Sequence, residues 1–342
     1  MTCTNEETFP LEEEHQGTEK GMDEGEDGED VLRKRPRIED EYDELEDLAE
    51  FRRFWVSTVS HYFGPLDATT GSNIGPMRYT DSGPPRYGGV PYDAVEIISL
   101  KVTELKEGLQ WPIRVFGLVA VRDSLDHKRN VLFERAKENC QTLTAEDSYL
   151  TLTGPSRAIA LIDPLEFEVE LRVLGCNPLE ETVLSAIYYE YNNSSYNYSN
   201  AGLVRTCRKS SKRSTIELKY SQLHVPLEAT IEVCHKEGLQ DFHGRFYAHM
   251  EYMADDDIVL LDSRDLKVNL TPDGRILLSR NVVLVEEGAK LTLGLKAWQN
   301  EDAHSAVDVK YEFPSKLNSR SDGFFDVGFS KMSITVAWSV LC

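Results

Sequence analysis

The chain has 342 residues and a formal net charge of −22, a length that suits two domains better than one. Residues 1–50 hold 20 Asp and Glu against 5 Lys and Arg, which leaves only −7 for the rest. A mildly acidic body repels phosphate backbones, which argues against sequence-independent nucleic-acid binding. No apolar run approaches the ~20 residues that span a bilayer.

Residues 1–32 are rich in Glu, Asp and Gly and nearly devoid of aromatic residues. They bury too little apolar surface to offset ordering entropy, so residues 1–38 are expected to form a disordered acidic arm. Met1 to Glu14 have neither the basic start nor the apolar stretch of a secretory signal. The expected location is therefore cytoplasm, nucleus or both, and not outside the cell. Within the arm, Arg33, Lys34, Arg35 and Arg37 match a short nuclear-import signal. The bland reading is a basic cluster that balances nearby carboxylates.

Residues 39–59 read as a helix, with Tyr42, Leu45, Leu48, Phe51 or Phe54, and Trp55 at three- and four-residue steps. Such a helix is marginal alone, so its aromatic end is expected to dock on the body. Residues 64–93 are rich in Gly, Pro, Ser and Asp, the composition of a linker or extended wrap.

From Val95 the runs are short, β-branched or aromatic, and split by Gly, Pro, Asn and Asp, which reads as strands. The body is also duplicated. Lys106-Glu107-Gly108-Leu109-Gln110 returns unchanged as Lys236-Glu237-Gly238-Leu239-Gln240. Around it, VEIISLKVTEL (95–105) pairs with LEATIEVCH (227–235), NVLFER (130–135) with DIVLLDS, FEVELRVLG (167–175) with KLTLGLKAW (290–298), and STIELKYSQL (214–223) with MSITVAWSVL (332–341). In FEVELRVLG, Phe167, Val169, Leu171 and Val173 alternate with Glu166, Glu168, Glu170 and Arg172, which predicts one buried and one wet face. The expected fold is all-β: two tandem antiparallel β-sandwich repeats of about eight strands each, at 94–224 and 225–342, behind one short helix with its linker (39–93). A single fused two-sheet domain is the alternative, because almost no linker separates the copies.

Pro76-Met77-Arg78-Tyr79-Thr80, GLQWPIRVFGLVAVRDSLDHKRN, LTLTGPSRAIALIDPLEFEVEL and MSITVAWSVL together resemble a plant-specific domain of unknown function, over roughly residues 40–342. That family has no assigned enzymatic activity to carry over to this chain. Some members of that family carry the domain behind a ribosome-inactivating rRNA N-glycosylase domain, which implies stress or defence biology by association. The glycosylase's Glu-x-x-Arg pattern has one counterpart, Glu50-Phe51-Arg52-Arg53, without the small residues that motif needs between acid and base.

Other chemistry is sparse. The chain lacks a Gly-x-Ser-x-Gly elbow and a phosphate-binding Gly-x-x-x-x-Gly-Lys loop. Cys3, Cys140, Cys176, Cys207, Cys234 and Cys342 are scattered, with neither zinc spacing nor a disulfide framework. Asn192, Asn193 and Asn197 head Asn-x-Ser triplets, read as a polar loop. Cys234 and His235 are neighbours on a strand and face opposite ways. His243 and His249 lie about 20 Å apart along an extended strand, too far to share a metal. Asp123 and Asp126, and Asp255, Asp256 and Asp257, occupy equivalent loops of the two copies. Loop-borne carboxylates of this kind gather calcium in some sandwich modules; the bland reading is turn chemistry. Arg205, Arg208, Lys209, Lys212 and Arg213 follow Tyr188, Tyr189, Tyr191, Tyr196 and Tyr198. Such a cluster suits either single-stranded nucleic acid or a charge-protected strand edge; the edge is the expectation.

The function expected on balance is a non-catalytic interaction or regulatory module with a protein partner. No cofactor, bound metal, membrane or nucleic acid is expected. The alternatives are an enzyme or toxin-like protein linked to ribosome inactivation, and a calcium-responsive module.

Overall fold

In the computed structural model, residues 39–66, 71–87, 89–175, 180–192, 202–254, 256–263, 266–299 and 306–342 are described. The basic run Arg33, Lys34, Arg35 and Arg37 lies outside them, as do Asn193, Asn197, Tyr196, Tyr198 and Asp255.

The body is all-β, and its two halves share one topology. The first comprises β1 (Ala94–Leu105), β2 (Ile113–Arg122), β3 (Asn130–Arg135), β4 (Gln141–Leu143), β5 (Ile159–Ala160), β6 (Leu165–Leu174), β7 (Glu181–Tyr191), β8 (Val204–Ser210) and β9 (Ser214–Leu223). The second comprises β10 (Leu227–Gly238), β11 (His243–His249), β12 (Ile258–Asp262), β13 (Val282–Val285), β14 (Lys290–Trp298), β15 (Val307–Pro314), β16 (Arg320–Asp326) and β17 (Ser330–Val340). Sheet β5-β1-β9-β8 packs on β3-β2-β6-β7, with β4 beside β2; sheet β13-β10-β17-β16 packs on β12-β11-β14-β15. Among the described strands, only β4 lacks a counterpart in the other half. The repeated Gly108 and Gly238 both sit at positive φ, 80° and 88°, where a side chain would be strained.

Alternation builds each core as read: Phe167, Val169, Leu171 and Val173 point into the first sandwich, and Leu291, Leu293 and Leu295 into the second. The lobes then fuse. Ala94, Ala158, Leu223, Leu284 and Leu341 form a small core between them. Ile98, from a bulge in β1, is buried in the second lobe's core.

Two buried carboxylates cross the same junction in opposite directions. Glu96 of β1 accepts from the Leu284 backbone N–H at 2.5 Å and from Arg280 at 2.6 Å. Glu228 of β10 accepts from the Ala158 backbone N–H at 2.8 Å. Arg280 also donates to the Ile97 carbonyl at 2.7 Å. Burial works against both charges, pushing the Glu96 carboxyl up and the Arg280 guanidinium down from their ordinary values.

The wet face expected on β6 is covered at Glu168, while Glu166, Glu170 and Arg172 stay partly exposed. Helix α1 (Glu39–Phe54) continues through a π-helical turn (Trp55–Val59) into α2 (Ser60–Phe63), stopping at Gly64 with φ 91°. It covers the outer face of β2, β6 and β7, with Leu48 packed on Val183 and Ala186. Phe51 stacks on Tyr188, ring centroids 4.1 Å apart. The docked aromatic end expected from the sequence is therefore present.

Replacing Arg280 with Ala strands Glu96 as a buried, half-satisfied charge. The expected loss is about 3–5 kcal/mol in urea unfolding, against a smaller loss for Glu96→Gln, which keeps an acceptor for Leu284.

Candidate functional site: an acidic cleft between the lobes

The interlobe packing leaves a cavity of about 350 Å³ on one side of the junction. Ile98 and Ser99 of β1 and the Asp147–Leu152 stretch form its first-lobe wall; Arg245, Asp256, Asp257, Val259, Asp262 and Ser279 form the second-lobe wall. Its titratable lining is thus four carboxylates, one guanidinium and the Tyr149 phenol, without histidine or cysteine. Asp256 meets Lys219 at 2.7 Å, Asp257 meets His249 at 3.2 Å, and Asp262 meets Arg245 at 3.2 Å. Lys101 lies 5.4 Å above the Tyr149 ring.

Of the residues singled out by sequence, Asp256 and Asp257 reach this cleft. Their counterparts in the first lobe do not. Asp123 is fully buried and takes both ends of the Arg157 guanidinium, at 2.6 and 2.8 Å. It also accepts from the Ala160 N–H at 2.9 Å. Asp126 accepts from Arg157, Ser72 and the backbone of Asn73 and Lys128. A fixed guanidinium stands where a calcium reading would put a cation. Among the described residues no group of three or more His, Cys, Asp or Glu is arranged to hold a metal ion.

The other candidates are structural in their contacts. Arg52 reaches Glu168 and Glu170, both at 2.7 Å, and Arg53 pairs with Glu46 on the helix surface. Glu168 is only 1% exposed; it also takes Arg129 through two 2.7 Å bonds and lies 3.5 Å from Arg122. Arg122 in turn lies 4.5 Å from the Trp55 ring centre. Against burial, these guanidinium partners hold the Glu168 carboxyl down to about 2. His243 stacks on Trp298 and bonds the Leu266 carbonyl, while His249 bonds Asp257 and the Asp256 carbonyl. Arg205, Arg208 and Lys209 lie on edge strand β8, with Lys212 and Arg213 in the turn to β9. Arg208 is tied to Glu217 and Lys209 covers the Tyr189 ring. Tyr188 lies under Phe51, Tyr189 stacks on Phe167 and Tyr191 meets Tyr220, so these rings serve packing rather than a stacking platform.

The sequence reading missed the first-lobe wall. Asp147, Tyr149 and Thr151 lie in an irregular stretch between β4 and β5, where no local pattern marks a binding residue.

A duplicated antiparallel sandwich with a cleft at its internal junction defines a two-lobed all-β module. The chain belongs to the family described as Domain of unknown function (DUF6598), whose model matches residues 94–336. A search of curated proteins finds no match. Among solved structures, human GIVD cytosolic phospholipase A2 is similar at 8% identity and a TM-score of 0.25, over 74% of this chain and 30% of that chain. The calcium-bound tandem C2 domains of Extended-Synaptotagmin 2 are similar at 9% identity and a TM-score of 0.25, over 75% of this chain and 99% of that chain. The chain spans about a third of the length of the phospholipase chains it matches.

Because the Glu168 carboxyl is depressed, its stabilisation is complete above the unfolded value of about 4.3 and is lost as pH falls toward 2. Glu168→Gln is expected to lower stability at pH 7 by about 3–5 kcal/mol. It should also flatten the fall in stability between roughly pH 5 and pH 2, read by urea unfolding at stepped pH.

Proposed function

We propose that the chain is a non-catalytic binding module and that the acidic interlobe cleft holds its ligand. The observation carrying this reading is a cavity of about 350 Å³ between duplicated lobes, lined by Asp147, Asp256, Asp257 and Asp262. Concave sites at lobe junctions with a few converging polar groups are where ligands bind. Enzymes commonly gather a base or nucleophile with groups that orient it and stabilise developing charge. The cleft instead offers four carboxylates, three of them paired with Lys219, His249 and Arg245, and its net negative lining attracts positive charge. The same charge repels phosphate, which supports a protein partner over nucleic acid. The sequence resemblance supports a role for such a module in plant stress or defence.

Filling the cleft tests this. Capture from cell extract by tagged full-length protein is compared with capture by Ser99→Trp, which places an indole in the cavity. Loss of a reproducible partner from the variant is the expected outcome. An identical partner set from both proteins ends the reading.

Calcium responsiveness, the second reading, has its own test. With Asp123 and Asp126 already committed to Arg157, millimolar calcium is expected to leave Tm unchanged. A rise of several degrees would restore the calcium reading.

A further inference from the structure

The two lobes meet about a pseudo-two-fold axis. Val95 pairs with Gln222 and Leu227 with Val340, and Gln222 and Val340 are matching residues of the repeat, so Glu96 and Glu228 are equivalent. By the ladders to β5 and β13, Ala158 and Leu284 are equivalent too. Glu96 takes Leu284 N–H and Glu228 takes Ala158 N–H, the reciprocal pattern of a self-complementary interface. Such an interface has two like sides, and in this chain their contents differ.

One side is filled by the chain itself. Gly71 bridges Arg129 in parallel at the edge of β3, and the Ser72 N–H donates to the Arg129 carbonyl at 2.9 Å. The Ser72 hydroxyl and the Asn73 N–H donate to Asp126, at 2.7 and 3.1 Å. Further on, the Met77 N–H donates to Glu228 at 2.7 Å and the Tyr79 N–H to Ser339 at 3.0 Å. The chain from Gly71 to Tyr79 thus crosses both lobes, bending at Asn73 and Pro76 and with Met77 at φ 63°, its N–H groups on carboxylates, a strand edge and the Ser339 hydroxyl.

The other side is the cleft. The β2–β3 ladder slips between Val119 and Ala120, and the β11–β12 ladder slips between Phe246 and Tyr247. Counting from those slips, Val131 matches Val259 and Arg129 matches Asp257. The strand edge that carries Gly71 and Ser72 in the first lobe therefore corresponds to the edge bordering the cleft in the second. At that edge Asp257 stands where the first lobe has Arg129. The filled groove sets Asp123 and Asp126 on the shared guanidinium of Arg157. The cleft sets Asp147, Asp256, Asp257 and Asp262 around Arg245, with Lys219 on Asp256, His249 on Asp257 and Lys101 over the Tyr149 ring.

We infer that the cleft takes a peptide segment of a partner protein, laid past the start of β12 at Asp257, ahead of the Leu260 carbonyl that the Ser279 and Arg280 N–H groups already occupy, with arginine or lysine side chains on Asp256, Asp257 and Asp147. This rests on the cleft being the binding site, and it adds the class of ligand. The segment from Gly71 to Tyr79 shows the backbone geometry such a junction accepts; the carboxylates set the sign of the side chains.

The test uses the full chain and a fluorescein-labelled arginine-rich octapeptide, with the same peptide carrying citrulline in place of arginine as comparator. Binding is read by anisotropy at physiological salt. Asp256→Asn with Asp257→Asn is expected to weaken binding at least about tenfold. Glu138→Gln with Glu287→Gln removes the same charge from exposed positions that do not line the cleft and is expected to change binding less than about twofold. Tyr149→Lys, at a half-exposed residue of the opposite wall, is expected to weaken binding without touching either aspartate. The citrulline peptide should bind at least about tenfold more weakly. Equal binding to the aspartate variant and to wild type overturns the inference, since the peptide would then be held by the acidic arm or by general surface charge. Cleft-dependent partner capture without cleft-dependent peptide binding also overturns it, while leaving the binding-module reading standing.

Discussion

The arrangement of this molecule depends on two glutamates buried where its halves meet. A carboxylate cannot be left in an apolar junction without donors. Glu96 and Glu228 each find theirs on the opposite lobe, at Leu284 and Ala158. Because the contacts are reciprocal, they fix both the distance between the sandwiches and their mutual rotation. Ile98 and the small core around Leu223 and Leu284 then close the junction. The cleft is what remains on the side where no segment of the described chain is laid down. Its shape is thus a consequence of the junction rather than of either lobe alone.

Divergence between the copies explains why the N-terminal helix docks on the first lobe. Ala120 pairs with Glu168, and the matching Tyr247 pairs with Gly294. In the first lobe this outer-face position is a carboxylate that Arg129 and Arg52 satisfy under α1. In the second, Tyr247 lies over a glycine, where a β-carbon would stand 2.0 Å from the ring. That face covers itself with an aromatic side chain and has no buried charge for an incoming arginine to meet. One substitution pattern thus decides whether the N-terminal helix has a place to dock.

The acidic loops show how far local pattern reaches. Asp123, Asp126, Asp256 and Asp257 are all visible in the sequence as carboxylates of equivalent loops, and turn chemistry accounts for them equally well. What separates the pairs is contact with distant residues. Arg157, 34 residues beyond Asp123, neutralises the first pair; the second pair faces β1 and the stretch near Tyr149. Nothing in a turn sequence records which guanidinium folds back on it. The same holds for Glu50-Phe51-Arg52-Arg53, where a chance acid–base pattern proves to be a docking clamp for β6.

The sequence by itself determined the strands, their alternation, the duplication and the aromatic stripe of the helix. These follow from side-chain periodicity and backbone restriction, which act between near neighbours. Tertiary structure alone decided that the two sandwiches fuse at Glu96 and Glu228, that Glu168 is buried beneath a helix, and that Asp147 joins Asp256 and Asp257 across a cleft. Those outcomes rest on desolvation and charge pairing between residues from 39 to 188 positions apart, a range over which one sequence carries no periodic signal.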